Sequence, residues 1–141
     1  MWVLNMDGDG QHLPTDIPAF FQGTDSQKPA LVIGNRMHDA DRMPWLRRMV
    51  NRWMSARLSK ASGLPLPDSQ CGFRLMHLPT WRKMELQTQH FEIESEMLLA
   101  WVRLGVPVRF VPIHVVYRGG RSNINPVVDT ARWVRWFVRK G

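Results

Sequence analysis

Ala30-Leu31-Val32-Ile33-Gly34 is a continuous apolar run, with Lys28-Pro29 before it and Asn35-Arg36 after it. A strand with one wet face alternates apolar and polar residues, whereas an unbroken run fits a strand buried on both faces. Trp2 to Met6 reads as an earlier strand. Between the two, Thr15-Asp16-Ile17-Pro18 has the form of a helix start, with Thr or Asp as cap and Ala19-Phe20-Phe21 to bury. Strand, helical crossover and buried strand make a βαβ unit, which implies a parallel sheet. The expected class is therefore α/β, a mostly parallel sheet flanked by helices. Ligands on such sheets sit beyond the carboxyl ends of the strands, which is where Asp7, Asp9 and Arg36 would lie.

The 141 residues suffice for one domain with a single core. An apolar fraction of 44% excludes a disordered chain. The single Cys71 cannot form an internal disulfide, which makes a reducing compartment the expectation. No signal peptide and no apolar run of membrane-spanning length is present, so the expected location is cytoplasmic and peripheral. The net charge is +7, and residues 1–27 hold four Asp and no Lys or Arg. Of the 19 basic residues 15 are Arg, the side chain suited to bidentate contact with phosphate or carboxylate. An acidic strand end before an arginine-rich body suggests a metal–phosphate site, and fits nucleic acid or an anionic membrane surface equally.

The acidic end is Asp7-Gly8-Asp9-Gly10-Gln11-His12. In extended backbone residues two apart share a side, so Asp7, Asp9 and Gln11 can converge on a hard divalent ion. Gly8 and Gly10 would let a phosphate-bearing ligand approach the backbone. An ordinary turn is the competing reading, because Asp and Gly both favour one. An EF-hand fails, since its sixth position is His12 and its twelfth Pro18. A dinucleotide fingerprint fails for want of a third glycine at Leu13.

Pro44 precedes a helical period from Trp45 to Ser62, closed by Gly63. Leu46, Met49, Val50, Trp53, Met54 and Leu58 form its expected inward stripe, with Arg47, Arg48, Asn51, Arg52 and Ser55 off it. Arg47 and Asn51 are four apart and could grip one anion. In the loop Asp68-Ser69-Gln70-Cys71-Gly72-Phe73-Arg74, Asp68 and Gln70 share a side and Arg74 opens a strand. Cys71 is read as a buried small side chain in preference to a nucleophile. Phe91 to Leu104 is expected to be a helix with Phe91, Met97, Leu98, Trp101 and Leu104 inward and Glu92, Glu94 and Glu96 in its first turns. Val106 to Val111 and Ile113 to Tyr117 read as strands separated by Pro112.

Six segments in this order carry a resemblance: Asp-x-Asp-Gly-Gln-His, Val-Ile-Gly-Asn-Arg, Asp-Ser-Gln-Cys-Gly-Phe-Arg, Phe-Glu-Ile-Glu-Ser-Glu-Met, Val-Pro-Ile and Tyr-Arg-Gly-Gly-Arg-Ser. Together they resemble family-2 glycosyltransferases, and within them the dolichyl-phosphate mannose synthase and polyprenyl-phosphate sugar transferase branch. The resemblance implies a GT-A fold and inverting transfer of a hexose from a nucleotide diphosphate sugar, GDP-mannose or UDP-glucose, to a polyprenyl or dolichyl phosphate. It implies Mg2+ or Mn2+ held by Asp7, Asp9 and Gln11. It places Arg36, Arg47 and Asn51 at donor or acceptor phosphate, and Arg118, Arg121 and Ser122 in a loop closing over the site. Asp68 and Arg74 fall beside the sugar and acceptor. A phosphate acceptor is already an anion, which favours positioning over base catalysis for Asp68. Glu94 and Glu96 match the family's acidic pair.

The family's nucleotide-binding βα units lie upstream of the Asp-x-Asp strand, so residues 1–126 are expected to be the carboxyl-terminal part of a GT-A domain, a partial fold inactive on its own. Residues 127–141 place Trp133, Trp136, Phe137 and Val138 among Arg132, Arg135, Arg139 and Lys140. That pattern fits a basic amphipathic helix at a membrane surface, or one docked on the domain's own core. A non-catalytic remnant that binds a membrane or partner is the alternative function, and a nucleic-acid module the second. The latter lacks a recognised motif and its acidic strand end is wrong for it, so no nucleic acid is expected.

Overall fold

Strand β2 (Leu31–Asn35) is the buried run singled out above, and Leu31, Val32 and Ile33 have no exposure at all. Around it the computed structural model, which describes residues 1–25, 28–117 and 126–140, builds a four-stranded sheet. Its other strands are β1 (Trp2–Asn5), β3 (Arg74–His77) and β4 (Val108–Pro112), in the order β1-β3-β2-β4. The helices are α1 (Ile17–Phe21), α2 (Trp45–Ser62), α3 (Leu78–Trp81), α4 (Glu92–Arg103) and α5 (Pro126–Lys140). Short 3-10 turns stand at Pro14–Asp16 and Met37–Arg42.

The chain is α/β, but the mostly parallel sheet expected from the sequence is a mixed one. Strand β3 is antiparallel to both β1 and β2, and only β2 with β4 pair in parallel. The adjacent βαβ pair is therefore opened by a later strand. Strand β3 reaches the middle because Leu75 and Met76 are apolar on both sides and Arg74 is neutralised where it enters. Running against two neighbours, β3 leaves β1, β2 and β4 pointing the same way. Their carboxyl ends still share one edge, and the candidate residues gather there.

Expected elements that moved did so for identifiable reasons. The Asp16 side chain does not cap α1; its carboxylate accepts instead from the His114 backbone N–H and contacts the His114 ring. Pro112 ends β4 opposite Asn35 instead of dividing two strands, which an edge strand permits because its outer N–H side needs no partner. Beyond it, residues 113–117 contribute one bridge between Val115 and His12 and a hydrogen bond from the Val116 N–H to the Gln11 carbonyl.

Helix α2 is rotated from the expected stripe. Its buried side chains are Asn51, Met54, Ser55 and Leu58, while Leu46, Met49 and Trp53 stay exposed. In α4 the inward residues include Met97, Leu98 and Trp101 as expected, but Phe91 and Leu104 face outward. Helix α5 lays Trp133 and Trp136 into the core, and Trp133 stacks on Phe137 with 4.9 Å between ring centroids. Full burial of a side chain of this size contributes roughly 1.5–3 kcal/mol. Among the described residues no helix is long and apolar enough to cross a membrane.

Gly34 is where β2 meets the residues that follow β4. A Cβ there would stand 2.6 Å from Ile113 Cδ1 and 3.3 Å from Cys71 Sγ. We expect Gly34→Ala to lower unfolding stability by about 1–3 kcal/mol in urea titration, as overpacking does. Ile113→Val, which removes the nearest atom, is expected to recover most of that loss in the double variant.

Candidate functional site

The centre of the carboxyl-edge cluster is a buried ion pair. Arg36, at the end of β2, donates from Nε to Asp68 Oδ2 and from Nη2 to Asp68 Oδ1, both at 2.8 Å. The Arg36 backbone N–H adds a third bond to Oδ2 at 2.9 Å, and Asn51 Nδ2 a fourth to Oδ1 at 2.8 Å. Asp68 is fully enclosed and accepts two bonds on each oxygen. Burial alone would raise its pKa, but the charge and hydrogen bonds of Arg36, with Asn51, hold the carboxyl below the usual aspartate range. Burial likewise works against the Arg36 charge, and Asp68 more than restores it. Asp68 therefore stays ionised and occupied, which suits a positioning role and excludes a free base.

The expected placements of Asn51 and Arg74 change. Asn51 is turned inward, donating to Asp68 while its Oδ1 faces Ser55 Oγ at 3.3 Å, so it does not share an anion with Arg47. Arg74 has no exposure. Its guanidinium donates to the carbonyls of Cys71, Ser69 and Glu94 at 2.8–3.0 Å. Its Nη2 also stands 2.8 Å from Glu94 Oε2, a charge contact without the direction of a hydrogen bond. A group so enclosed touches no substrate, and the expected catalytic role of Arg74 becomes that of holding the 68–74 loop in shape. Cys71 lies in the same loop with its thiol pKa pushed up to about 12, chiefly by burial, so it is no nucleophile at neutral pH.

A hydroxyl and amide chain ties this floor to the helices. Ser55 Oγ faces Ser69 Oγ at 3.0 Å, and Gln70 Nε2 donates to both Ser69 Oγ and Ser95 Oγ. The Trp133 indole donates to Ser95 Oγ at 2.8 Å, joining α5 to the same chain.

Above the floor stand groups open to a ligand. Asp9 does not continue the strand: β1 ends at Asn5, Gly8 and Asp9 form a turn, and Asp9 Oδ1 accepts from the Gln11 N–H. The turn docks on the 68–74 loop. Asn5 Nδ2 donates to the Gly72 carbonyl, and a Cβ on Gly72 would lie 2.8 Å from Asp7 Oδ1, so only glycine admits the carboxylate there. Asp7 stands 3.4 Å from His12 Nε2, and the His12 contact holds its pKa below the usual value despite partial burial. Asp7, Asp9 and Gln11 supply hard oxygen donors and the Asp7 side chain is half exposed, which fits Mg2+ or Mn2+ in chemistry. Among the described residues no group of three or more His, Cys, Asp or Glu side chains is placed to hold a metal.

Glu94 of the acidic pair gains a defined setting here, and Tyr117 is a residue that sequence reading did not single out. Glu94 has its pKa raised, first by burial and then by Asp7, against the pull of Arg74. Tyr117 has a buried hydroxyl with no hydrogen-bond partner among the described residues, in the electrostatic reach of Arg36, Arg47, Asp68 and Cys71. The signal available for Tyr117 was its place before the Arg118 motif. Arg118, Arg121 and Ser122 lie outside the described residues.

Replacing Asp68 with Asn would leave Arg36 nearly buried without its counter-charge. We expect Asp68→Asn to cost about 3–5 kcal/mol of stability at neutral pH, measured by chemical denaturation. Because the folded-state pKa of Asp68 is lowered, its contribution is complete above the ordinary value of 3.8. It is lost as the pH falls through the folded value, so parent and variant converge in acid.

No family model matches the chain. It is 28% identical to undecaprenyl-phosphate mannosyltransferase of Micrococcus luteus, over 95% of this chain and 61% of that protein. It is 29% identical to the glycosyltransferase AglJ of Haloferax volcanii, over 91% of this chain and 43% of that protein. It is 26% identical to UDP-N-acetylglucosamine–dolichyl-phosphate N-acetylglucosaminyltransferase of Methanococcus voltae, over 82% of this chain and 48% of that protein. The chain spans about half the length of the curated relatives it matches. Over 82–95% of its own length the chain is thus similar to glycosyltransferases, two of which are named for undecaprenyl phosphate and dolichyl phosphate.

Proposed function

We propose that this chain carries the diphosphate and acceptor-phosphate part of a GT-A glycosyltransferase. In the full reaction a phosphate oxygen of a polyprenyl or dolichyl phosphate attacks the anomeric carbon of a nucleotide-activated mannose or glucose. The nucleoside diphosphate leaves from the opposite face, with inversion. The observation that carries this reading is the Arg36–Asp68 centre, at which neither Asp68 nor Cys71 is available as a base. Asp68 is ionised and fully bonded, and the Cys71 thiol is held protonated. Such a site can hold and orient anions but does not abstract a proton, and a phosphate acceptor needs none abstracted.

The residues divide by depth. Arg36, Asp68, Asn51 and Arg74 fix the floor, while Arg47 is proposed to meet the acceptor phosphate, with the enclosed Tyr117 hydroxyl behind it. Asp7 and Asp9, with Gln11, would hold Mg2+ or Mn2+. When bound, the ion supplies charge neutralisation at the diphosphate leaving group. Arg118, Arg121 and Ser122 remain proposed phosphate contacts. Since the chain matches about half of each relative, the whole reaction is proposed for a polypeptide that includes it, working at a membrane surface on the cytoplasmic side. The chain by itself is expected to turn over neither GDP-mannose nor UDP-glucose.

The test is binding of a short polyprenyl phosphate in detergent, with the corresponding polyprenol as control. We expect the phosphate to bind and the alcohol to bind at least about tenfold more weakly, as loss of one or two charge-assisted hydrogen bonds implies. Arg47→Ala is expected to lose about tenfold in affinity and Tyr117→Phe a few-fold. Equal affinity for alcohol and phosphate, or no effect of either substitution, would overturn the assignment.

A further inference from the structure

Two histidines stand together where β2 and β4 end. His38 lies in the turn after β2 and His114 follows β4, and their rings meet nearly perpendicular with 5.9 Å between centroids. Both residues are exposed. The Asn35 carbonyl fixes one side of the pair, accepting from the His38 ring at 3.1 Å and from the Ile113 N–H at 3.2 Å. Asp16 fixes the other: its Oδ2 accepts from the His114 backbone N–H at 2.8 Å, and its Oδ1 faces His114 Nδ1 at 2.9 Å.

These partners dictate the tautomers. Carbonyl and carboxylate oxygens only accept, so Nδ1 carries the proton in both rings. The lone pair of each neutral ring is then on Nε2. An imidazole that donates its other N–H to a carboxylate or a backbone carbonyl is the form in which histidine ligates a transition metal, because that partner holds the ring and raises its basicity. His114 has the first kind of partner and His38 the second. The Asp16 side chain is only 9% exposed, and its charge lies against the His114 ring. One cation bound by two imidazoles at about 2.0–2.1 Å sets their centroids roughly 5–6 Å apart, a range that includes the separation of these two rings.

We infer that His38 and His114 form a binding site for a divalent cation of the zinc class, held through both Nε2 atoms, with Asp16 and Asn35 as outer supports and water completing the shell. Imidazole nitrogens suit Zn2+, whereas the oxygens of Asp7, Asp9 and Gln11 suit Mg2+ or Mn2+, so the two places select different ions. Two protein ligands are fewer than the four of a structural zinc site, and the ion is expected to bind reversibly. An ion here pins residues 113–117, which end at Tyr117, to the turn that follows Arg36. The assignment needs no sugar transfer and stands or falls apart from the proposed function.

The experiment titrates the full chain, free of any affinity tag, with zinc chloride in a calorimeter, and with magnesium chloride for comparison. One Zn2+ per chain is expected, bound at least about tenfold more tightly than Mg2+. His38→Gln and His114→Gln should each weaken zinc binding at least about tenfold, with thermal melts in EDTA like the parent's. Asp16→Asn, which alters only the outer support, should cost about tenfold, and His90→Gln should stay within about twofold of the parent. In imidazole 15N spectra zinc should move Nε2 of His38 and His114 and leave both Nδ1 atoms protonated. No zinc binding, or binding that both histidine variants retain, would overturn the assignment. So would zinc that is lost with Asp7→Asn, which would put the ion at the carboxylates, or zinc bound only between two copies of the chain in a dimer.

Discussion

The Arg36–Asp68 fork fixes most of the architecture around the site. Arg36 closes β2 and Asp68 opens the loop that leads into β3, so the pair joins the central strand to the approach of its neighbour. Asn51 brings α2 to the same carboxylate. Removing either charge from so dry a place costs far more than the pair itself contributes, since the survivor is left without solvent or partner. The pair thus acts chiefly by excluding other arrangements. Arg74 does the same for the far end of the loop, where its guanidinium fastens the carbonyls of Cys71, Ser69 and Glu94.

Charge in the cluster is layered. The inner layer is saturated, every oxygen of Asp68 having two donors, and it can neither move nor titrate near neutral pH. Asp7 and Asp9 border it on the outside without bonding to Asp68. In the proposed reaction a fixed inner layer would keep the outer groups from rearranging around an anion, the condition under which dipoles and charges act most strongly on a ligand. Gly72 is the seam between the layers, because its missing side chain is what lets Asp7 rest on the loop.

The sequence was readable where local pattern decides. The unbroken run in β2, the helical period of α2 and the glycine after each of α2 and α4 all appear as expected. It was unreadable where a distant charge decides. Periodicity places Asn51 and Ser55 on a wet face of α2, but the carboxylate of Asp68, 17 residues on, pulls that face inward and turns Met49 and Trp53 out. The insertion of β3 between β1 and β2 has no local mark either, because a crossover rule assumes neighbours in sequence become neighbours in space. Tyr117 has no sign beyond its motif; only the enclosed, unbonded hydroxyl picks it out.

The indole of Trp133 supplies Ser95 with a hydrogen bond from 38 residues away. During synthesis residues 45–112 leave the ribosome before that indole exists, and domains generally fold as they emerge. The chain of hydroxyls and amides from Ser55 through Gln70 to Ser95 therefore waits, one donor short, for the most C-terminal of the five helices. The Asp68 loop can be shaped early by Arg36 and Arg74, but its hydrogen bonding closes only when α5 arrives. The full set of bonds around Ser95 thus depends on a helix that lies outside the Arg36–Asp68 centre.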